Sequence, residues 1–69
     1  DDTNILKLEN SEDFKIGDTL ILSNRDKIEF CKIINVKSGM IELDDIVEFN
    51  NNDTISILNS NLQNIITFN

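Results

Sequence analysis

The chain has 69 residues, a hydrophobic fraction of 39% and a formal net charge of −7, from 13 acidic and 6 basic residues. A chain this short buries only about 60% of the surface that it exposes when unfolded, so residues 1–69 are expected to form a single domain with a thin core. Nucleic acid and anionic membrane surfaces are disfavoured as partners, because the cations are scattered rather than grouped on one face: Lys7, Lys15, Arg25, Lys27, Lys32 and Lys37.

The chain opens with a predicted strand and a polar connection. Residues 4–8 place Leu6 and Leu8 on one face, as expected of a half-buried strand. Residues 9–13 are polar enough for a loop, or for one helical turn capped by Ser11.

A turn at Gly17 and Asp18 is the most specific local signal. Glycine can adopt the positive φ that a side chain resists, and aspartate can accept hydrogen bonds from backbone N–H groups just downstream. Phe14 and Ile16 are expected to seat this turn on the core. Residues 19–23 follow as a strand with its leucines facing inward.

The longest predicted strand, residues 27–36, has an ambiguous inner face. Phe30 lies on an apolar face that Lys32 interrupts. We therefore expect either a strand end, where the Lys32 stem reaches water, or a bulge that shifts the inner face to Cys31 and Ile33.

A hairpin is predicted next. Gly39 ends the loop at residues 37–39, as in a type I turn followed by a G1 bulge. Residues 40–43 form the returning strand, which Asp44 and Asp45 are expected to end.

The last third of the chain completes an all-β pattern. Residues 46–49 could form a helical turn or an irregular crossing, and residues 50–53 are a clear polar break. Strands are predicted at residues 54–58 and 64–69. The spacing of apolar pairs predicts a small barrel or sandwich of five or six short, mainly antiparallel strands. Its core is expected to include all four phenylalanines: Phe14, Phe30, Phe49 and Phe68.

Carboxylates cluster after the fourth predicted strand. Asp44, Asp45 and Glu48 could be paired for acid–base catalysis, but a domain this small has little room for the deep cleft that would perturb a carboxyl pKa. Calcium is another candidate ligand, because hard cations bind six to eight oxygen atoms. Its candidate ligands are Asp44, Asp45, Glu48 and Asp53.

The same stretch is also a candidate interaction surface, or simply a set of solvated turn residues. It does not match the spacing of an EF-hand loop. The residues of this candidate surface are Asp44, Asp45, Glu48, Asn50, Asn51 and Asn52.

The residues needed for nucleophilic catalysis are missing from the sequence. There is no His, and two Gly residues cannot make a Gly-rich phosphate loop. Cys31 is expected to be a small buried hydrophobe, with Lys32 on the opposite face of the strand. We therefore expect no enzymatic activity and, calcium aside, no cofactor.

The order of these elements resembles the globular β-region of minor pilins and pseudopilins. The similarity extends over residues 14–68 and includes the Phe-Lys-Ile-Gly-Asp turn at residues 14–18 and the strands at residues 41–43 and 54–57. In that family such a turn opens a β-region that follows an N-terminal helix. The resemblance implies a non-catalytic subunit outside the cytoplasmic membrane, in a type IV pilus, type II secretion or DNA-uptake apparatus.

The hydrophobic N-terminal helix of that family is absent from residues 1–69, so the resemblance implies a fragment of a longer chain. Two alternatives share the same turn chemistry. One is a phage tail or adhesin module that binds a receptor or glycan, and the other is a cytoplasmic regulatory small β-barrel. The preferred prediction is an extracytoplasmic module that contacts other protein subunits through its edge strands and the acidic crossing at residues 44–53.

Overall fold

The computed structural model describes residues 2–59 and 62–68, and these residues form six β-strands. In chain order the strands are β1 (Asp2–Lys7), β2 (Thr19–Ser23), β3 (Ile28–Lys37), β4 (Met40–Glu48), β5 (Thr54–Asn59) and β6 (Leu62–Thr67). They join in the order β1-β4-β3-β2-β5-β6, with every neighbouring pair antiparallel, and the sheet curls into a half-barrel. The predicted all-β fold is confirmed.

The core lies on the inner face of this curled sheet. Alternation along each strand sends every second apolar side chain inward, where its burial stabilises the fold by about 1.5–3 kcal/mol. The rings of Phe49 and Phe68 meet edge-on, with their centroids 5.4 Å apart. The buried apolar residues are Leu6, Phe14, Leu20, Leu22, Cys31, Ile33, Ile41, Leu43, Val47, Phe49, Ile55, Ile57 and Phe68.

The turn before β2 forms as predicted but is held differently. Gly17 has a φ of +94°. Asp18 Oδ2 accepts a hydrogen bond from the upstream N–H of Lys15 at 3.0 Å, rather than from a downstream group as expected. Phe14 is buried, whereas Ile16 is 66% exposed, so only Phe14 seats the turn on the core. The turn lies against β3, because Gly17 N–H donates to Ile33 C=O at 2.8 Å.

The inner face of β3 is the face of Cys31 and Ile33, the second of the two predicted alternatives. Cys31 and Ile33 are buried, while Phe30 is 68% exposed, so the expectation that all four phenylalanines lie in the core is wrong for Phe30. The register against β4 shifts between Ile33 and Asn35. The bulge therefore lies after Lys32 rather than at it. Pairing with β2 is regular from Ile28 to Lys32, so alternation alone turns Lys32 outward, and the bulge lets Val36 pack against the core.

The fourth strand is longer than predicted. Asp44 and Asp45 do not end it, and the crossing expected at residues 46–49 is extended strand up to Glu48. Pairing with β1 explains the difference, since Thr3 lies opposite Val47. A second register shift in this pair accommodates the two aspartates.

Buried polar side chains fasten the connections to the sheet. Ser11 Oγ donates to Lys37 C=O at 2.7 Å and accepts from Gly39 N–H at 3.3 Å, so residues 9–13 are anchored to the β3–β4 hairpin. Asn59 Nδ2 donates to Asp13 C=O at 3.1 Å. Asn59 was expected in a loop but ends β5 as a buried residue.

The sixth strand begins earlier than predicted and ends at Thr67, although Phe68 still reaches the core. Asn69, the predicted end of this strand, lies outside the described residues.

Candidate functional site

The carboxylates predicted as metal ligands mainly hold local backbone in place. Asp44 Oδ1 accepts a hydrogen bond from Lys32 N–H at 2.9 Å, and Asp45 Oδ1 accepts one from Ile46 N–H at 2.8 Å. These bonds occupy donors at the point where the β3–β4 and β1–β4 ladders are irregular. The two aspartates therefore stabilise the bulged part of β4.

Asp53 has a similar role in the turn between β4 and β5. Its Oδ2 accepts from Asn50 N–H at 3.1 Å and from Asn24 Nδ2 at 3.2 Å. Asn52 takes a φ of +72°, a conformation that Asn tolerates better than most residues. Among residues 2–59 and 62–68, no group of three or more Cys, Asp or Glu is placed to hold a metal ion. The structure thus does not bring the four candidate calcium ligands together.

The predicted interaction surface is divided equally between the outer side of β4 and the turn that follows it. Asp44, Asp45 and Glu48 are exposed, and Asn50, Asn51 and Asn52 continue into the following turn. Glu48 lies directly opposite Asp2 of β1, which places two like charges side by side. We call the outward carboxylates of these two strands the acidic half: Asp2, Glu42, Asp44, Asp45 and Glu48.

Cys31 is buried beneath the border of the acidic half. Burial, followed by the nearby charges of Asp44, Glu29 and Asp45, raises the pKa of its thiol to about 11. A thiol with so high a pKa remains protonated at neutral pH and is a poor nucleophile.

The outer face of the other four strands is apolar, which sequence reasoning missed. The pairing register puts Phe30, Ile21 and Leu58 in one row across β3, β2 and β5. Ile28 and Ile65 end the next row, with the small side chains of β2 and β5 between them. Side chains in such rows have Cβ atoms about 5 Å apart. We call these five residues the apolar face: Ile21, Ile28, Phe30, Leu58 and Ile65.

The two edges of the sheet differ in their free backbone groups. At β1, Thr3 Oγ1 accepts from Ile5 N–H at 3.0 Å and donates to Ile5 C=O at 3.3 Å, so one hydroxyl caps both edge groups of Ile5. At β6, antiparallel alternation points the N–H and C=O groups of Gln63, Ile65 and Thr67 away from β5. No strand of the described chain pairs with this edge of β6.

An open cleft lies between these two edges. Its volume is about 490 Å³, and its walls are residues 7–10 on one side and residues 64–67 on the other. No Cα atom of β1 comes within 8 Å of a Cα atom of β6, whereas paired strands run about 4.8 Å apart. The half-barrel is therefore not closed by backbone hydrogen bonds. The partly buried side chains of Leu8 and Ile66 pack against the core beside this opening.

We found no match to the chain among protein-family models, curated proteins or solved structures. In the part of the chain that the structure describes, no helix is long and apolar enough to cross a membrane.

Proposed function

We propose that this chain is a non-catalytic assembly module that binds an extended segment of another protein subunit at the free edge of β6. The observation that carries the proposal is the contrast between the two edges. Thr3 caps the edge groups of Ile5 in β1, whereas Gln63, Ile65 and Thr67 present uncapped backbone groups in β6. An uncovered sheet edge is a ready template for an additional strand.

The side chains around the opening define the strand that would fit. A strand paired with β6 would place alternate residues on the inner and outer faces of the sheet. Inward residues would meet Leu8 and Ile66, so apolar side chains are favoured there. Lys7 and Glu9 line the opposite wall of the cleft and favour polar or charged residues at its mouth.

The side-chain chemistry supports a binding role rather than an enzymatic one. The sequence has no His, and its single thiol is buried with a raised pKa. The carboxylates of Asp44, Asp45 and Asp53 accept hydrogen bonds from neighbouring groups of the fold. We place the module in an extracytoplasmic assembly of the minor pilin or pseudopilin type, on the resemblance of residues 14–68 to that family.

Site-specific photo-crosslinking in the native cell tests the strand addition. A photoreactive residue at position 65 should form crosslinks to an extended segment of a partner subunit, and one at position 45 in the acidic half should not. If only position 45 formed crosslinks, the contact would lie on the acidic half, and the proposal would be contradicted.

A proline variant provides a sharper test of the backbone contact. Ile65→Pro removes an N–H group that points away from β5, so the β5–β6 ladder is retained while the edge loses a donor. The matched control Ile65→Thr keeps the N–H group and a β-branched side chain. We expect Ile65→Pro to abolish the crosslinks formed from position 67 and Ile65→Thr to retain them. Equal crosslinking by both variants would exclude pairing at this edge.

The gene upstream of Asp1 tests the setting separately. A prepilin leader followed by about 20 apolar residues is expected for a pilin-like subunit. A long fibrous region in that place would favour the phage tail alternative instead.

The exposure of Phe30 favours a second candidate function, a tail or adhesin module that binds a receptor or glycan. Phe30 is 68% exposed on the outer face, where an aromatic ring could stack on a ligand. A glycan-array signal that Phe30→Ala abolishes would support this function, and an array without signal would count against a glycan ligand.

A further inference from the structure

The apolar face is unusual because large apolar side chains lie together on the outside of a small domain. Ile28, Phe30 and Ile65 are at least 60% exposed, and Ile21 and Leu58 lie between them in the register. Small monomeric proteins rarely leave so continuous an apolar patch uncovered, and such patches commonly mark binding sites.

The charge of this face differs from that of the rest of the molecule. The chain carries a net charge of −7, yet the outward positions of β3, β2, β5 and β6 include no Asp or Glu, and their charged residues are Lys32 and Lys37. These positions are Ile28, Phe30, Lys32, Ile34, Asn35, Lys37, Thr19, Ile21, Ser23, Thr54, Ser56, Leu58, Gln63, Ile65 and Thr67. The carboxylates of the acidic half lie on the other two strands.

We propose that the apolar face binds a second copy of this chain in a symmetric, face-to-face dimer. Two molecules of net charge −7 repel each other in most orientations. Contact through the apolar face keeps both acidic halves away from the interface while it buries the exposed apolar side chains. It is the approach with the least electrostatic cost and the largest hydrophobic gain.

The shape of the apolar face, with a hollow beside a projecting ring, is suited to self-association. Ser23 and Ser56 are paired in the row between Ile28 and Ile65, so two small side chains make a shallow hollow between two large ones. Phe30 projects from the adjacent row. In a two-fold arrangement each Phe30 ring enters the serine hollow of the other copy, and both contacts form at once.

The size of the face sets the expected affinity. Four strands about 4.8 Å apart present a surface roughly 15–20 Å wide, and the molecule itself measures 26 × 21 × 21 Å. A standard stable interface buries about 800 Å² on each partner, which is more than a face of this width supplies. We therefore expect a micromolar dimer rather than a nanomolar one.

Sedimentation equilibrium of the chain, from about 10 μM to about 1 mM, tests the dimer over the range in which so small an interface dissociates. Raising the salt from about 20 mM to about 500 mM should lower the dimer Kd several-fold, because shorter screening lengths weaken the repulsion between acidic halves. An increase of Kd with salt would indicate an ionic interface and overturn the proposal.

Matched variants locate the interface. Phe30→Ser and Ile28→Ser should each raise the Kd about tenfold or more. Ile46→Ser should leave it unchanged, because Ile46 is 62% exposed but lies on β4 among the acidic residues. Amide NMR spectra establish that each variant is folded, and concentration-dependent shifts should map to the outer face of β2, β3 and β5.

If the chain remained a monomer at the highest concentration in high salt, the dimer proposal would be overturned, and the apolar face would then bind a different partner. A dimer weakened by Ile46→Ser but not by Phe30→Ser would overturn it as well. Neither result would affect strand addition at β6, which is tested by Ile65→Pro.

Discussion

The apolar face and the acidic half are two parts of one outer surface, yet they differ in the regularity of their strand pairing and in the chemistry of their outward side chains. Between β3, β2 and β5 the ladders are regular, and apart from Lys32 the outward side chains in them are apolar or hydroxylic. On β4 and β1 the register shifts and the outward side chains are mainly carboxylates. Regular pairing leaves a flat surface that can bind, whereas bulged pairing needs polar side chains to complete its hydrogen bonds.

The strongest test of this comparison removes the core that both regions share. Leu22 is completely buried and Leu58 is 40% exposed, although they lie on neighbouring strands. Leu22→Ala should lower the free energy of unfolding by about 2–5 kcal/mol through loss of buried surface and formation of a cavity. Leu58→Ala should cost less than about 1 kcal/mol. Urea denaturation measures both, and equal losses would contradict the assignment of inner and outer faces.

Measuring the unfolding free energy at a series of pH values tests the burial of Cys31 in the core beside the acidic half. The Cys31 thiol has a pKa raised from 9.0 to about 11, so the unfolded chain ionises first as the pH rises. The contribution of this thiol to stability is complete below pH 9 and is lost progressively between pH 9 and about 11. Unfolding free energies should therefore fall more steeply in the native chain than in Cys31→Ala, where this titration is absent. Parallel curves would show that the thiol is not shielded.

Substitutions of two glycines allow the turn before β4, a strand of the acidic half, to be compared with the turn before β2, a strand of the apolar face. Gly39, between β3 and β4, has a φ of +74°, and an added Cβ would lie 3.3 Å from Leu8 O. Gly17, before β2, has a φ of +94° and no atom within 4 Å of such a Cβ. Gly39→Ala should cost about 1–2 kcal/mol and Gly17→Ala about 1 kcal/mol, since only the first adds crowding to backbone strain. Thermal denaturation gives the order, and a negligible change for Gly17→Ala would count against the strained turn.

Asp44 tests whether carboxylates support the bulged part of β4. Asp44→Ala removes the acceptor of the Lys32 N–H bond and should cost about 1 kcal/mol. Asp44→Asn keeps a side-chain oxygen and should cost less. If urea denaturation showed the two variants to be equally stable, the hydrogen bond would not contribute to the free energy of unfolding.

The smallest expected effect is a gain in stability. Glu48→Gln removes one of two like charges on opposed residues of β1 and β4. The variant should be more stable by about 0.2–0.5 kcal/mol at low salt and equal to the native chain at high salt. A gain that persists in high salt would point to a cause other than charge repulsion.

Strand positions were largely predictable because alternation and turn residues are local signals. The choice of face in β3 was not, since Phe30 and Ile33 lie on opposite faces and both are apolar. Pairing with β2 decides between them, because Cys31 lies opposite the buried Leu20 whereas Phe30 lies opposite Ile21 on the outer face. Sequence reasoning therefore named Phe30 as a core residue and overlooked the apolar face to which it belongs.

The end of β4 was missed for a related reason. A pair of aspartates ordinarily favours a break in a strand, but here a partner from the start of the chain pairs with the residues that follow. Local chemistry cannot reveal such a long-range partner. The carboxylates were correctly seen as a group, while their hydrogen bonds to Lys32 and Ile46 depend on the assembled sheet.

The hydroxyl of Thr3 also has a consequence for polymerisation. A sheet with two open edges could propagate head to tail, as each new molecule offers β6 to the β1 of the next, and such growth leads to open fibres. In the proposed strand addition at β6, β1 would be the poorer edge at Ile5, because the Thr3 hydroxyl already occupies the N–H and C=O groups of that residue. The proposed strand addition would therefore favour a single step and a defined stoichiometry over a filament.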